Sequence, residues 1–474
     1  MTALISIVIV KILTNYLGVA GFGAYTAIYE FLAFFAIAAD FGIFQIAVRE
    51  MSLQPLRRAQ IFGNILALRL VFTVVAMLLA IGAVFLIPPY AGTAIPIGVV
   101  LAALTTFLNL MFGTLSSVLQ VEMKMSRAVA AMVVGKVATL LFMLFVIFYW
   151  LPADPVAGFN QLLVAGIIGH FLQLLGVLAA ARKLVTLTLR FDWDFWREIL
   201  RKTLPYGGAI LLATIYFRID VLLISLMRDL TEVGIYGAAM RIFENLFVIS
   251  VFFLNSALPS LTQFFQHSPE KFQAFLQQGF NFLAILGLPI LVGGVILAYP
   301  LMSLVTAPEF LSDVSRGFWG SDLALQVLLL ALVFAFFNNL FGYALLAAGQ
   351  PLKLFWVALG TALFNFLSNL VVIPYFGWLG AAWTSVASEI LAICLGLFFI
   401  IRLINLRLNF GNFGKAALAA ILMGVCLQLL EPILGNLITG NRVLLILIPI
   451  GMLIYFGILY FLRVLPRDLW QKMN

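Results

Sequence analysis

Ionisable side chains placed inside apolar runs are the residues of this sequence most able to do chemistry. The stretch IYFRIDVLLISLM, residues 215–227, reads as lipid-facing helix yet carries Arg218 and Asp220. Arg241 and Glu244 occupy the next apolar run, and Lys11, Glu30, Asp40, Arg69, Lys136 and Glu389 lie in others. A charge at mid-bilayer costs at least ~2.5–3.5 kcal/mol, so groups of this kind face a partner or a wet cavity. Their chemistry is electrostatic. The two histidines, His170 and His267, cannot assemble a metal cluster, and Cys394 and Cys426 sit in apolar runs as isolated thiols. Gly135-Lys136 and Gly414-Lys415 lack the upstream glycine of a phosphate-binding loop, so ATP is not the direct energy source. No catalytic residue, metal or cofactor is expected.

Pairing follows from helical spacing. Residues two apart on a helix do not face each other, so Arg218 and Asp220 each need a partner elsewhere. Counting from helix ends at ~1.5 Å per residue puts Asp220 level with Arg241, a candidate structural pair. Lys11 and Glu30 stand at the equivalent places of an earlier repeat, with the signs exchanged. Glu244, one turn from Arg241, can reach Arg218, and Asp40 can reach Arg69. Lys136 and Glu389 have no evident partner; Lys136 is either an uncompensated cation in a cavity or a snorkelling lysine. Asn109, Asn338, Asn365 and Asn369 read as glue between helices.

The elements that must hold these charges are membrane helices. Of 474 residues, 64% are hydrophobic and 10% charged; a soluble domain has ~25% charged. Runs long enough to span fall at about 1–16, 24–48, 64–87, 94–120, 128–150, 161–180, 204–226, 234–258, 279–304, 323–347, 353–373, 379–401, 415–430 and 443–463. Lysine and arginine concentrate in alternate loops, including Arg57-Arg58, Arg182-Lys183 and Arg197, Arg201 and Lys202. That bias places both termini in the cytoplasm. FLNLMFGTLSSVLQVEMK (107–124) aligns without a gap on FFNNLFGYALLAAGQPLK (336–353), and Gly23-Ala24-Tyr25 on Gly234-Ile235-Tyr236. Two parallel six-helix repeats follow, with two helices appended: an all-α membrane fold of about fourteen helices around a central cavity. The expected partition is 1–183, a cytoplasmic amphipathic connector at 184–203, 204–403, and 404–474. The amphipathic stretch RFDWDFWREILRKTLPYG, residues 190–207, reads either as a hinge between lobes or as a linker resting in the headgroups.

The segments LGVAGFGAYTAIYEF, ADFGIFQIAVRE, IYFRIDVLLISLMRDLTEVGIYGAAMRIFE and AAGQPLKLFWVALGTALFNFLSNLVVIPYFGWLGAAWTSV resemble the polysaccharide-biosynthesis flippases of the multidrug/oligosaccharidyl-lipid/polysaccharide exporter superfamily. The resemblance implies an oligosaccharide on a polyprenyl (pyro)phosphate as substrate. It is carried across the cytoplasmic membrane by alternating access driven by an ion gradient. On that reading Arg218 and Lys136 are the phosphate candidates, with Arg69 near the entrance, and Asp40, Glu244 and Glu389 are candidates for ion coupling. The expected partners are this lipid-linked oligosaccharide, membrane lipids, and a glycan polymerase or glycosyltransferases of the same pathway. No nucleic acid is expected, and the protein is expected to be a monomer. Two rivals remain at this stage: a multidrug-type exporter of the same superfamily, and a membrane glycosyltransferase or polymerase. The latter would have to work from the outer loop 305–322, which holds Glu309, Asp313 and Asp322.

Overall fold

The computed structural model describes residues 2–151, 154–404, 406, 408–437 and 443–464. Among them there are fourteen α-helices and no strand. In the bilayer each helix satisfies its own backbone, which irregular chain cannot do there. Eleven helical stretches are long and apolar enough to cross a membrane. Two of these are double. Ile5–Leu53 has 49 residues and Pro351–Ile404 has 54, or about 74 and 81 Å at 1.5 Å per residue, against a hydrocarbon core of ~30 Å. Helix α1 (Thr2–Asp40) is broken at Gly18, φ 67°, and α12 (Pro351–Ile404) at Gly377, φ 57°. Both φ values are in the region that glycine enters without steric penalty. Adding α7 (Trp193–Met227), which carries Arg218 and Asp220, gives fourteen candidate passes among the described residues. The protein is a multi-pass membrane protein.

Two compact units divide the chain, Met1–Gly234 and Ile235–Asn474. In the first, α1 packs on α3 (Arg58–Val84), α4 (Ile95–Val121) and α7, and α6 (Pro155–Ala181) packs on α4 and α5 (Met125–Phe145). In the second, α9 (Pro269–Ile296) packs on α11 (Ser321–Ala347) and α13 (Gly411–Leu437), α11 on α12, and α13 on α14 (Leu444–Phe461). Most of α8 (Leu230–His267) also lies there. The short α10 (Ala298–Val305) follows α9 after a turn at Leu297.

Two local features depart from the sequence expectation. The second span is not continuous to residue 48: α1 ends at Asp40, and α2 (Ile43–Leu53) begins after Phe41 at φ 38° and Gly42 at φ 76°. A bulky residue at positive φ is a strained site, and it adjoins one of the candidate carboxylates. The connector does not form a helix of its own. Residues 186–192 are a strap without regular secondary structure, and residues from Trp193 onward are the first turns of α7. Asp192 caps that helix, its Oδ1 accepting from Phe195 N at 3.1 Å. The strap is tied to α3: Arg190 N donates to Gly63 O at 3.2 Å, Asp192 N to Asn64 Oδ1 at 3.0 Å, and Trp196 Nε1 to Asn64 O at 3.1 Å. Trp196 and Ile199 thereby join a buried cluster with Phe62, Ile65 and Leu115. The division into compact units falls after Gly234 and groups α7 with the first six spans.

Candidate functional site

Arg218, about nine residues from the end of α7, forms an ion pair with Glu30 of α1. This partner was not among the pairings that helix counting offers, because the two residues are 188 positions apart. Glu30 is sealed in the helix interface at 5% side-chain exposure, whereas Arg218 keeps 29%. Asp40 and Arg69 do pair, at 2.5 Å. Their exposures are reversed: Arg69 is buried at 3% and Asp40 keeps 26%. Arg69 Nε and Nη1 have no hydrogen-bond partner among the described residues. One pair therefore presents its cation and the other its carboxylate. Asp40 ends a helix, where the dipole disfavours an anion, and the buried guanidinium offsets that.

The other candidates are placed as follows. Lys136 of α5 donates to Ser6 Oγ of α1 at 2.7 Å. Arg241 bonds Glu244, one turn along α8, at 3.0 Å, with both half-exposed. Asp220 is buried, and Lys11 is half-buried on the first limb of α1. Glu389, in the second limb of α12, is buried and accepts from Asn338 Nδ2 of α11 at 2.9 Å. Gly380 packs on Val372 and Gly360 on Leu395. These pairs straddle Gly377 almost symmetrically, so the limbs run antiparallel and Asn365 comes level with Glu389. Asn369 Nδ2 donates to Asn365 Oδ1 at 3.2 Å, and Ser388 Oγ and Thr361 Oγ1 are buried without a partner among the described residues. Hence Asn338 and Asn365, read from sequence as glue, surround the one acidic side chain of this hairpin. His170 Nδ1 bonds its own helix at Gly166 O, 2.9 Å, as a core histidine does. Among the described residues no three His, Cys, Asp or Glu side chains group as metal ligands, and both cysteines are free.

Outside the membrane segments, charge is paired for structure. Lys202 bonds Glu50 at 3.0 Å and Glu198 at 2.7 Å, and these carboxylates, Glu198 first, raise its ammonium above the ordinary 10.5. In the loop between α10 and α11, Asp322 accepts from Ser312 N and Oγ, both at 2.8 Å. Asp313 accepts from Ser315 Oγ at 2.5 Å, and the Ser315 bonds together with Arg316 hold its carboxyl below the usual range. These acids are occupied in folding the loop.

The second unit also holds a cavity of about 490 Å³. Its walls come from α8, α9, α10, α11, α13 and α14, including Leu246, Pro289, Leu329, Leu427, Met452 and Phe456. No charged side chain lines it.

Comparison with known proteins adds the following. A family model described as polysaccharide biosynthesis protein matches residues 1–265, more than half of the chain, and the MatE model matches residues 205–371. The fold is similar to that of the lipid II flippase MurJ in an inward-closed conformation, at 14% identity and TM-score 0.74, covering 98% of this chain and 97% of that one. It is also similar to an inward-facing multidrug resistance MATE family transporter of the MOP superfamily, at 15% identity and TM-score 0.67, covering 85% and 95%. A third similar structure is a MOP superfamily transporter from Pyrococcus furiosus, at 15% identity and TM-score 0.56, covering 83% and 90%. No curated protein matches the sequence.

Proposed function

The chain belongs to the polysaccharide biosynthesis protein family, and from that premise we propose that it is a flippase for lipid-linked oligosaccharide. The substrate is an oligosaccharide on polyprenyl (pyro)phosphate, turned from the cytoplasmic to the outer leaflet of the cytoplasmic membrane for assembly of a cell-surface polysaccharide. The observation that carries this reading is the apolar cavity of about 490 Å³ walled in part by α13 and α14. A cavity without a charged or strongly polar lining suits an isoprenoid tail and offers nothing to a cationic drug. Similarity to the MurJ structure extends over 98% of this chain, including that pair of helices, whereas similarity to the MATE transporter stops at 85%.

The anionic head needs a cation that water or ligand can reach. Arg218 meets that condition, and the burial of Arg69 makes it the poorer candidate. Lys136, held by Ser6, is a second contact. Asp40, Glu244 and Glu389 are the carboxylates available to couple an ion gradient, Glu389 within an amide- and hydroxyl-rich surround. Residues 1–183 and 204–403 act as two lobes that rock to give alternating access, joined through 184–203, with 404–474 supplying the tail-binding pair. Both termini are cytoplasmic, the protein works as a monomer without catalytic chemistry of its own, and glycosyltransferases and a polymerase act before and after it.

The MatE match over residues 205–371 favours a second reading, export of small amphipathic molecules. Proteoliposomes loaded with fluorescent lipid-linked oligosaccharide separate the two. Flipping that is competed by polyprenyl phosphate and not by drug-like cations supports the proposal. Competition by the cations alone, or no flipping above protein-free vesicles, overturns it.

A further inference from the structure

We propose that Tyr455 keeps the apolar cavity selective for plain hydrocarbon by covering a backbone carbonyl that Pro289 leaves without its helical donor. The proposal rests on the reading of that cavity as the site of the isoprenoid tail, and adds how the site turns away ligands with a hydrogen to donate. Pro289 lies inside α9 and has no N–H. The acceptor that such an N–H would serve is the carbonyl four residues earlier, on Ile285. Ile285 and Pro289 both line the cavity. An unmet carbonyl in hydrocarbon is costly, and a proline inside a membrane helix is tolerated where a neighbouring group meets the carbonyl it frees. Tyr455 of α14 supplies that group: its hydroxyl donates to Ile285 O at 2.9 Å. Tyr455 is 1% exposed, so the bond is sealed in packing.

The bond also sets what the cavity can recognise. Among the described residues that line it, Tyr455 is the one with a polar side chain, and its hydrogen is committed to the carbonyl. The walls beside the bend are bare of side chains. Gly293 and Gly294 follow Pro289 by about one turn, and Gly451 precedes Tyr455 by one. An uncovered Ile285 O would therefore be an acceptor set in an otherwise apolar wall, and it would hold an alcohol, amide or amine that entered. With the hydroxyl in place, the cavity rewards apolar surface alone. A polyprenyl chain has no donor along its length and loses nothing. A small amphipathic molecule with N–H or O–H groups must leave them unpaired there, at the cost of their hydration. The ligand class that fits is an unsubstituted isoprenoid chain, and the class kept out is the chain or ring system that carries donors.

The test uses the full-length protein in nanodiscs, with farnesol and farnesyl methyl ether as probes, each displacing a fluorescently tagged polyprenol. The probes share a chain and differ in one O–H donor, and comparing the ratio of their affinities between variants cancels their partition into the bilayer. Tyr455→Leu removes the hydroxyl and opens the way to the carbonyl. It is expected to shift the ratio about tenfold toward farnesol, the change that 1.4 kcal/mol produces. Pro289→Ala restores the N–H, so the shift should vanish when Pro289→Ala and Tyr455→Leu are combined. Tyr455→Phe removes the hydroxyl alone. It should lower the unfolding temperature in the wild-type background and not in the Pro289→Ala background, a readout that stands even where Tyr455→Leu fails to fold. If the ratio stays at the wild-type value in Tyr455→Leu, if the shift survives Pro289→Ala, or if Tyr455→Phe destabilises both backgrounds alike, Tyr455 does not serve that carbonyl and the inference fails alone. If Met452→Trp, which narrows the same cavity, changes the affinity of neither probe, the tail-site reading itself fails.

Discussion

Substituting Gly23 by alanine is expected to push two helices apart. Gly23 in α1 and Gly234 near the start of α8 lie in the same compact unit and stand at equivalent places of the two sequence repeats. A Cβ on Gly23 would lie 1.7 Å from Leu230 O, and one on Gly234 would lie 2.2 Å from Val19 O. Each glycine thus rests on the carbonyl four residues before its counterpart, and the contact is reciprocal. An ordinary carbon–oxygen contact of this kind is about 3.3 Å or more. The backbones must retreat by about 1.6 Å for Gly23→Ala and about 1.1 Å for Gly234→Ala to restore it. Overpacking of this size costs ~1–3 kcal/mol, partly offset by alanine's helix preference over glycine of ~1 kcal/mol. The net expectation is a loss of up to about 2 kcal/mol for Gly23→Ala and less for Gly234→Ala. Because one interface absorbs both, the double variant should lose less than the sum. Thermal unfolding followed by tryptophan emission measures this. Gly82 supplies the control: it is exposed on α3, and its Cβ would meet nothing within 4 Å. Gly82→Ala should be neutral or slightly stabilising. If Gly23→Ala and Gly82→Ala behave alike, the backbone contact is not made and the reasoning fails.

Three further outcomes are expected. Asp40→Ala leaves the Arg69 guanidinium buried and unpaired, and should destabilise by about 3–5 kcal/mol, the usual cost of breaking a buried pair, measured by denaturant or thermal unfolding. Met452→Trp narrows the apolar cavity without touching a charge; affinity for a long-chain polyprenyl diphosphate should fall while that for inorganic pyrophosphate is unchanged, as read by competitive binding. The Lys202 bridge joins α2 to α7, and its raised ammonium pKa means a stabilisation complete below the ordinary 10.5 and lost as pH climbs through the folded value. Emission from Trp193 and Trp196 should therefore stay flat through neutral pH and change only in strong alkali, and Lys202→Met should cost under about 1 kcal/mol, because the pair is partly exposed.

The spans were legible because hydropathy is a property of local sequence. Gly18 and Gly377 fall in the gaps between expected spans, where positive φ needs glycine. Asp40–Arg69 was legible from matching depth on neighbouring helices. Glu30–Arg218 was not, because depth counting pairs residues near in sequence, and α1 meets α7 only through the folded arrangement of the first unit. The break at Phe41 also left no signal: a phenylalanine before a glycine inside an apolar run reads as helix, and tertiary packing overrides it. The connector's amphipathic pattern was real, with Trp196 and Ile199 buried and Arg197 exposed. The pattern alone could not say that its apolar face meets α3 and the core rather than lipid headgroups. Which member of an ion pair is exposed is likewise a property of packing and is written in no spacing.

The central claim is that Arg218 faces an aqueous path and meets the substrate's phosphate. Its most direct test is thiol accessibility at that position. In a protein with Cys394 and Cys426 replaced by serine, Arg218→Cys should react with a charged, membrane-impermeant thiol reagent, and polyprenyl diphosphate should protect it. A cysteine at 218 that stays inert in the native protein and reacts only after unfolding would contradict the claim.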